Sequence, residues 1–170
     1  MTFTMKQATV ADAAAVLALT RESYQKWVAV TGREPLPMRV DYAEALLKNR
    51  IDLLYEGNKF AEGKQLAALI ETQLEPESAP DHLLIVNVAV SPAFQKRGLG
   101  RRLMAHAETL AVEARVPKLL LYTNSLMAEN ISLYQKLGYV IERQQQFGTS
   151  IQVYMSKSTS KNMRETPKSF

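Results

Sequence analysis

A chain of 170 residues with 46% hydrophobic and 22% charged side chains is long enough to bury one proper core and has the make-up of an ordinary globular domain. It has no cysteine, which excludes disulfides, thiolate catalysis and zinc–thiolate sites. Of the formal charge of +4, much sits at the end: residues 156–170 hold four of the 21 basic and one of the 17 acidic side chains, so the rest is almost neutral, and nucleic acid is not the expected partner.

Residues 3–9 read as a first strand, and Asp12 opens a helix whose apolar face runs through Ala15, Val16, Leu19 and Tyr24 or Trp27 to about Val30. Two prolines and a glycine make residues 31–38 a loop, and residues 41–49 a short second helix. Strands follow at 51–56 and 65–74, joined across residues 57–64 as an antiparallel hairpin. A proline-containing turn leads to a strand at 83–90, a long helix at 98–114, and a strand at 118–123 too continuously apolar to face water on either side. Strand, long helix and buried strand predict a right-handed crossover with a parallel pair. A short helix at 127–137 ends at Gly138, and strands at 139–142 and 151–155 close the domain. Residues 1–155 are therefore read as one domain and 156–170 as a basic C-terminal tail without periodicity. No run approaches the roughly 18 apolar residues of a membrane span, and the N-terminus lacks the apolar core of a secretory signal. A cytoplasmic protein with no membrane partner is expected.

One stretch carries chemistry. The strand ending Val88-Ala89-Val90 stops at Pro92, which has no N–H for a ladder, and runs through Gln95-Lys96-Arg97-Gly98-Leu99-Gly100-Arg101-Arg102 into the long helix. A helix entrance presents unpaired N–H groups and a partial positive charge, and glycine lets an anion approach the backbone, so this is a phosphate site. It lacks the Gly-Lys-Ser/Thr ending of a nucleotide triphosphatase loop, and Leu103 stands where a dinucleotide fingerprint needs its third glycine. The two histidines, His82 and His106, cannot make a metal cluster by themselves, so no metal site is expected.

Gln95-Lys96-Arg97-Gly98-Leu99-Gly100 resembles the acyl-CoA loop of the GNAT superfamily, the Gcn5-related N-acetyltransferases. Asn130-Ile131-Ser132-Leu133-Tyr134-Gln135-Lys136-Leu137-Gly138-Tyr139 resembles the family's second motif at the expected distance downstream. The likeness covers roughly residues 3–155. It implies an α/β (α+β) fold with a mixed, mostly antiparallel central sheet flanked by helices and splayed between the fourth and fifth strands. It implies acetyl-CoA as co-substrate, an amine acceptor, and transfer by direct attack in a ternary complex. The pyrophosphate would meet backbone N–H groups of Gln95, Lys96, Arg97, Gly98, Leu99, Gly100 and Arg101. Pantetheine would pair with the open edge of Val88 and Val90 and touch Asn130, and Tyr134 would protonate the leaving sulfur. Relatives with a side-chain base carry it on the fourth strand, where Leu84 and Val86 are apolar here. Glu71 or Asn87 holding a water, or His82, is the remaining candidate. Tyr24, Trp27, Arg33, Met38 and Tyr42 are the candidate acceptor contacts, and a homodimer stays open. The missing base also motivates a second reading, a non-catalytic acyl-CoA-binding or sensing module.

Overall fold

The computed structural model of the chain describes residues 2–57 and 63–159. Seven strands form one sheet in the order β1-β2-β3-β4-β5-β7-β6: β1 Phe3–Gln7, β2 Arg50–Glu56, β3 Gln65–Glu75, β4 His82–Val90, β5 Lys118–Asn124, β6 Val140–Phe147 and β7 Ser150–Ser158. Four helices flank it, α1 Ala13–Thr31, α2 Tyr42–Lys48, α3 Leu99–Glu113 and α4 Ala128–Lys136. All neighbours run antiparallel except β4 and β5. This is the mixed, mostly antiparallel sheet expected. The middle of the 57–64 connection lies outside the described residues.

Two apolar layers cover the sheet. On one face Leu99, Leu103, Met104, Ala107 and Ala111 of α3 pack on Ile70, Leu83, Ile85, Leu119, Leu121 and Met155, and Ile131 and Tyr134 of α4 join the same layer. On the other, Val16 and Leu19 of α1 and Tyr42 of α2 cover Ile51, Leu53, Leu69 and Ala89. Each fully buried leucine or isoleucine contributes on the order of 1.5–3 kcal/mol, so the helical stripes read from sequence are also what holds each helix in place. Asp41 caps α2, its carboxylate accepting from the N–H groups of Ala43 and Glu44.

Two features of the sheet shape the site. The parallel β4–β5 ladder lasts three residues, Leu83–Ile85 beside Leu119–Leu121, whereas β5 pairs with β7 along its whole length. Past Ile85 the two strands part, so the sheet is splayed between its fourth and fifth strands. The second feature is a bulge in β4. Glu71 pairs with Asn87 and Thr72 with Ile85, which leaves Val86 as the extra residue. Period two would put Leu84 and Val86 on one face; the bulge changes the phase. Leu83, Ile85, Val88 and Val90 face α3, while Asn87 and Ala89 face α1 and α2.

The last strand is longer than the predicted 151–155. β7 continues through Ser156, Lys157 and Ser158, which pair with Leu120, Leu119 and Lys118. Ser156 is buried and its hydroxyl donates to Glu142 at 2.7 Å, while Lys157 reaches Glu108 at 2.6 Å. β6 is likewise longer than predicted. Its Arg143-Gln144-Gln145-Gln146 run is exposed throughout, so no apolar alternation announces the strand; backbone pairing with β7 holds it, together with Arg143 over the Tyr154 ring and Glu142 against Ser156 and Lys118.

Candidate active site

The parting of β4 and β5 opens a cavity of about 330 Å³. Val86, Asn87 and Val88 form one wall, Leu121–Asn124 the opposite one, Asn130 and Tyr134 of α4 close one end, and Tyr24 reaches in from α1. The loop after α1 and the β6–β7 turn face each other at the mouth, where the Arg33 Nη2 donates to Ser150 Oγ at 2.7 Å. Tyr24, Arg33, Val88, Asn130 and Tyr134, chosen from sequence, are therefore brought together by the fold.

The outward edge of β4 is where the gap begins. Val90 N–H donates to Ser23 Oγ at 3.2 Å and Val90 C=O accepts from Gln95 Nε2 at 3.2 Å, so Val90 points its polar groups away from β3. Antiparallel residues alternate in this respect, which aims Val88 the same way; its carbonyl accepts from Tyr24 Oη at 3.4 Å.

At the entrance of α3, Lys96 and Gly98 hold φ of 62° and 79°. Left-handed residues in a turn ahead of a helix are the backbone form that makes anion-binding concavities of N–H groups. A Cβ built on Gly98 would meet nothing within 4 Å, and one on Gly100 would meet only Leu133 Cδ2 of α4, at 3.8 Å. The loop is thus an open cradle. Lys96 and Arg101 are exposed beside it. Arg97 lies 5.1 Å from the centre of the Phe94 ring, and Arg102 turns away to the Phe3 carbonyl.

Asn130 is no helix cap: the cap position is Met127, and Asn130 Nδ2 makes a long 3.8 Å contact to Met127 Sδ. An amide so weakly engaged on a cavity wall is available to a ligand. Tyr134 is half-buried against Tyr139, and desolvation pushes its phenol up to about 12. Tyr24 is raised further, by burial first and then by Tyr134, Tyr42 and Glu71 nearby. Its hydroxyl donates to Asn87 Oδ1 at 2.9 Å, and Asn87 Nδ2 donates to Thr20 Oγ1 at 3.3 Å and to the Tyr42 oxygen at 3.2 Å.

Two expected contacts lie behind the wall. Tyr42 is buried and its hydroxyl donates to the Pro37 carbonyl at 2.8 Å; it reaches the cavity through Asn87. Glu71 is 2% exposed, accepts from Asn49 Nδ2 at 2.7 Å, and is raised by burial. As the bulge turns Asn87 inward, its cross-strand partner Glu71 turns inward with it. His82 pairs with Glu75 and Asp81 at the far end of β4. The mouth residues Glu34, Arg39 and Ser150 were not singled out from sequence. The alternation Arg33-Glu34 between glycine and proline was the one local signal. Among the described residues no His, Asp and Glu cluster could hold a metal, and no helix is long and apolar enough to cross a membrane.

A sheet split at its parallel pair, with a glycine cradle at the following helix, is the architecture of acyl-CoA transferases, and the profile of the acetyltransferase (GNAT) family matches residues 16–139. The chain belongs to that family. In sequence it is 34% identical over 85 residues to the ribosomal protein bS18-alanine N-acetyltransferase of Salmonella typhimurium, an alignment over 50% of this chain and 55% of that protein. The match therefore spans about half the length of this curated relative. In structure it is similar to the ribosomal-protein-S18-alanine N-acetyltransferase of Escherichia coli, with a TM-score of 0.71, 21% identity, and coverage of 93% of this chain and 94% of that one. The PaiA N-acetyltransferase of Thermoplasma acidophilum, solved with coenzyme A, is similar at a TM-score of 0.71, 17% identity, and coverage of 93% and 99%.

Proposed function

We propose that the protein transfers the acetyl group of acetyl-CoA to a primary amine by direct attack in a ternary complex formed in the β4–β5 gap. The observation that carries this reading is one cavity that unites the outward edge of Val88 with Asn130 and the phenol of Tyr134. Bound acetyl-CoA would supply a thioester whose C–S bond breaks as the C–N bond forms, the amine proton ending on sulfur. The α3 cradle fits its pyrophosphate, since Gly98 and Gly100 put no side chain over the loop and the space at Gly98 is open. The outward edge of Val88 and the Asn130 amide suit the pantetheine arm, and Val90 would join them by exchanging its Ser23 and Gln95 side-chain partners for the arm. Val88 N–H, aimed into the gap, is a donor for charge developing on the carbonyl oxygen.

Tyr134 stays protonated across the physiological range and is the donor to the departing sulfur, its phenolate then taking up the proton that the amine sheds. Tyr24 shares its proton between Asn87 Oδ1 and, at longer range, the Val88 carbonyl, which leaves its oxygen as an acceptor that can orient an incoming N–H. No carboxylate lines the inner cavity among the described residues; that supports the second reading, a non-catalytic acyl-CoA-binding module.

Tyr134→Phe separates the two. Transfer should fall by about 10²–10⁴-fold, the usual worth of a general acid, with acetyl-CoA affinity retained in calorimetry. The assay is CoA thiol release with a panel of amines, and the name of the Salmonella relative puts peptide α-amines in that panel. If no amine gives turnover above hydrolysis in the wild type while acetyl-CoA still binds, the non-catalytic reading stands.

A further inference from the structure

Resting on the acetyltransfer reading, we propose that the acceptor is a primary amine that also bears a carboxylate, bound at the mouth of the cavity by Arg33 and Arg39. The ionisable side chains that line this cavity, phenols aside, are Arg33, Glu34 and Arg39. Glu34 is already paired, its Oε1 accepting from Arg21 Nη2 at 3.0 Å. Arg33 is held by a neutral partner, Ser150 Oγ at 2.7 Å, and Arg39 has no side-chain partner among the described residues. The mouth thus presents two guanidinium groups without a counter-ion. Tyr24, Tyr122 and Tyr134, all raised by burial, add no negative charge.

A guanidinium fork matches a carboxylate in two parallel hydrogen bonds. Ser150, 117 residues away in sequence, orients Arg33 without using its charge. The same field repels a second ammonium, which disfavours diamines. It also disfavours the charged form of the bound amine, the direction a nucleophile needs where no carboxylate base stands beside it. The cavity of about 330 Å³ is shared with the arm of acetyl-CoA, so the acceptor is a small amino acid or the end of a peptide entering by the mouth.

The test compares kcat/KM by CoA release for matched acceptors: L-alanine against L-alaninamide, a peptide Ala-Glu-Glu against Ala-Gln-Gln with both C-termini amidated, and putrescine. The anionic member of at least one pair should lead by at least about tenfold, mainly through KM. In the Arg33→Gln/Arg39→Gln variant that ratio should fall toward one, with acetyl-CoA binding as the control for folding. Preference in the first pair identifies a free amino acid as the source of the carboxylate, and in the second an acidic peptide. Turnover with equal rates across each pair, or with putrescine ahead, overturns the proposal alone. No turnover with any acceptor while acetyl-CoA binds overturns the acetyltransfer reading on which it rests.

Discussion

Around Asn87 burial acts on three phenols and a carboxyl in the same chemical sense, holding each in its neutral form. Tyr24, Tyr42 and Tyr134 are raised above the ordinary tyrosine value, and Glu71 above the ordinary glutamate value, the Asn49 hydrogen bond only partly opposing it. A carboxyl whose folded pKa exceeds its unfolded one holds more protons when folded. Its contribution to stability is complete below its ordinary value of 4.5 and is lost as pH rises through the folded value. Glu71→Gln keeps an oxygen for Asn49 and abolishes the ionisation. Relative to that variant, the wild type should lose stability as pH rises above the ordinary value of 4.5, as followed by thermal melts at stepped pH. A wild type that gains on the variant over that range would contradict the placement of Glu71 in a desolvated wall.

At the scale of elements, the entrance of α3 joins two demands, a left-handed turn and a clear path to the backbone. Gly98→Val meets both badly. The φ of 79° costs an L-residue about 1–2 kcal/mol, and the new side chain stands in the cradle. Gly100→Ala is different, because its Cβ makes an ordinary contact with Leu133, and alanine in a helix is favoured over glycine by about 0.5–1 kcal/mol. We therefore expect Gly98→Val to lower both stability and acetyl-CoA affinity, and Gly100→Ala to raise stability while weakening affinity. Denaturant melts and calorimetry read the two quantities separately, and unaltered affinity in both variants would displace the pyrophosphate from this loop. The turn was legible because its residues are contiguous and their conformational needs are local. The bulge in β4 was not, since Val86 has the composition of any strand residue and only the register of Glu71 and Thr72 reveals that it is supernumerary.

Taken whole, the molecule is two sheet halves, β1–β4 and β5–β7, tied by a three-residue parallel ladder and by α3 packed across both. Anything bound in the gap replaces the missing ladder and should tighten the two halves together. Acetyl-CoA at about 100 times its Kd would stabilise the fold by about 2.7 kcal/mol, which for a chain of this size raises Tm by roughly 5–11 °C. Amide exchange should slow at Val88, Val90 and residues 95–101. Protection confined to other strands would place the cofactor elsewhere.

The periodicity of α1, α3 and the central strands, the glycine turn before α3, and the Asn130 and Tyr134 motif were decided by the sequence alone. Each depends on residues a few positions apart, whose spacing is the spacing of the element they form. Tertiary structure alone decided which way Asn87 faces, that Glu71 and Tyr42 stand behind the wall, and that β7 runs on to Ser158. It alone brought Arg33 to Ser150 and Arg39 to the same mouth. Those outcomes depend on register and on loops that meet across the splay, and the cost or gain of each is set by desolvation, a property of the assembled wall that no single stretch of the chain carries.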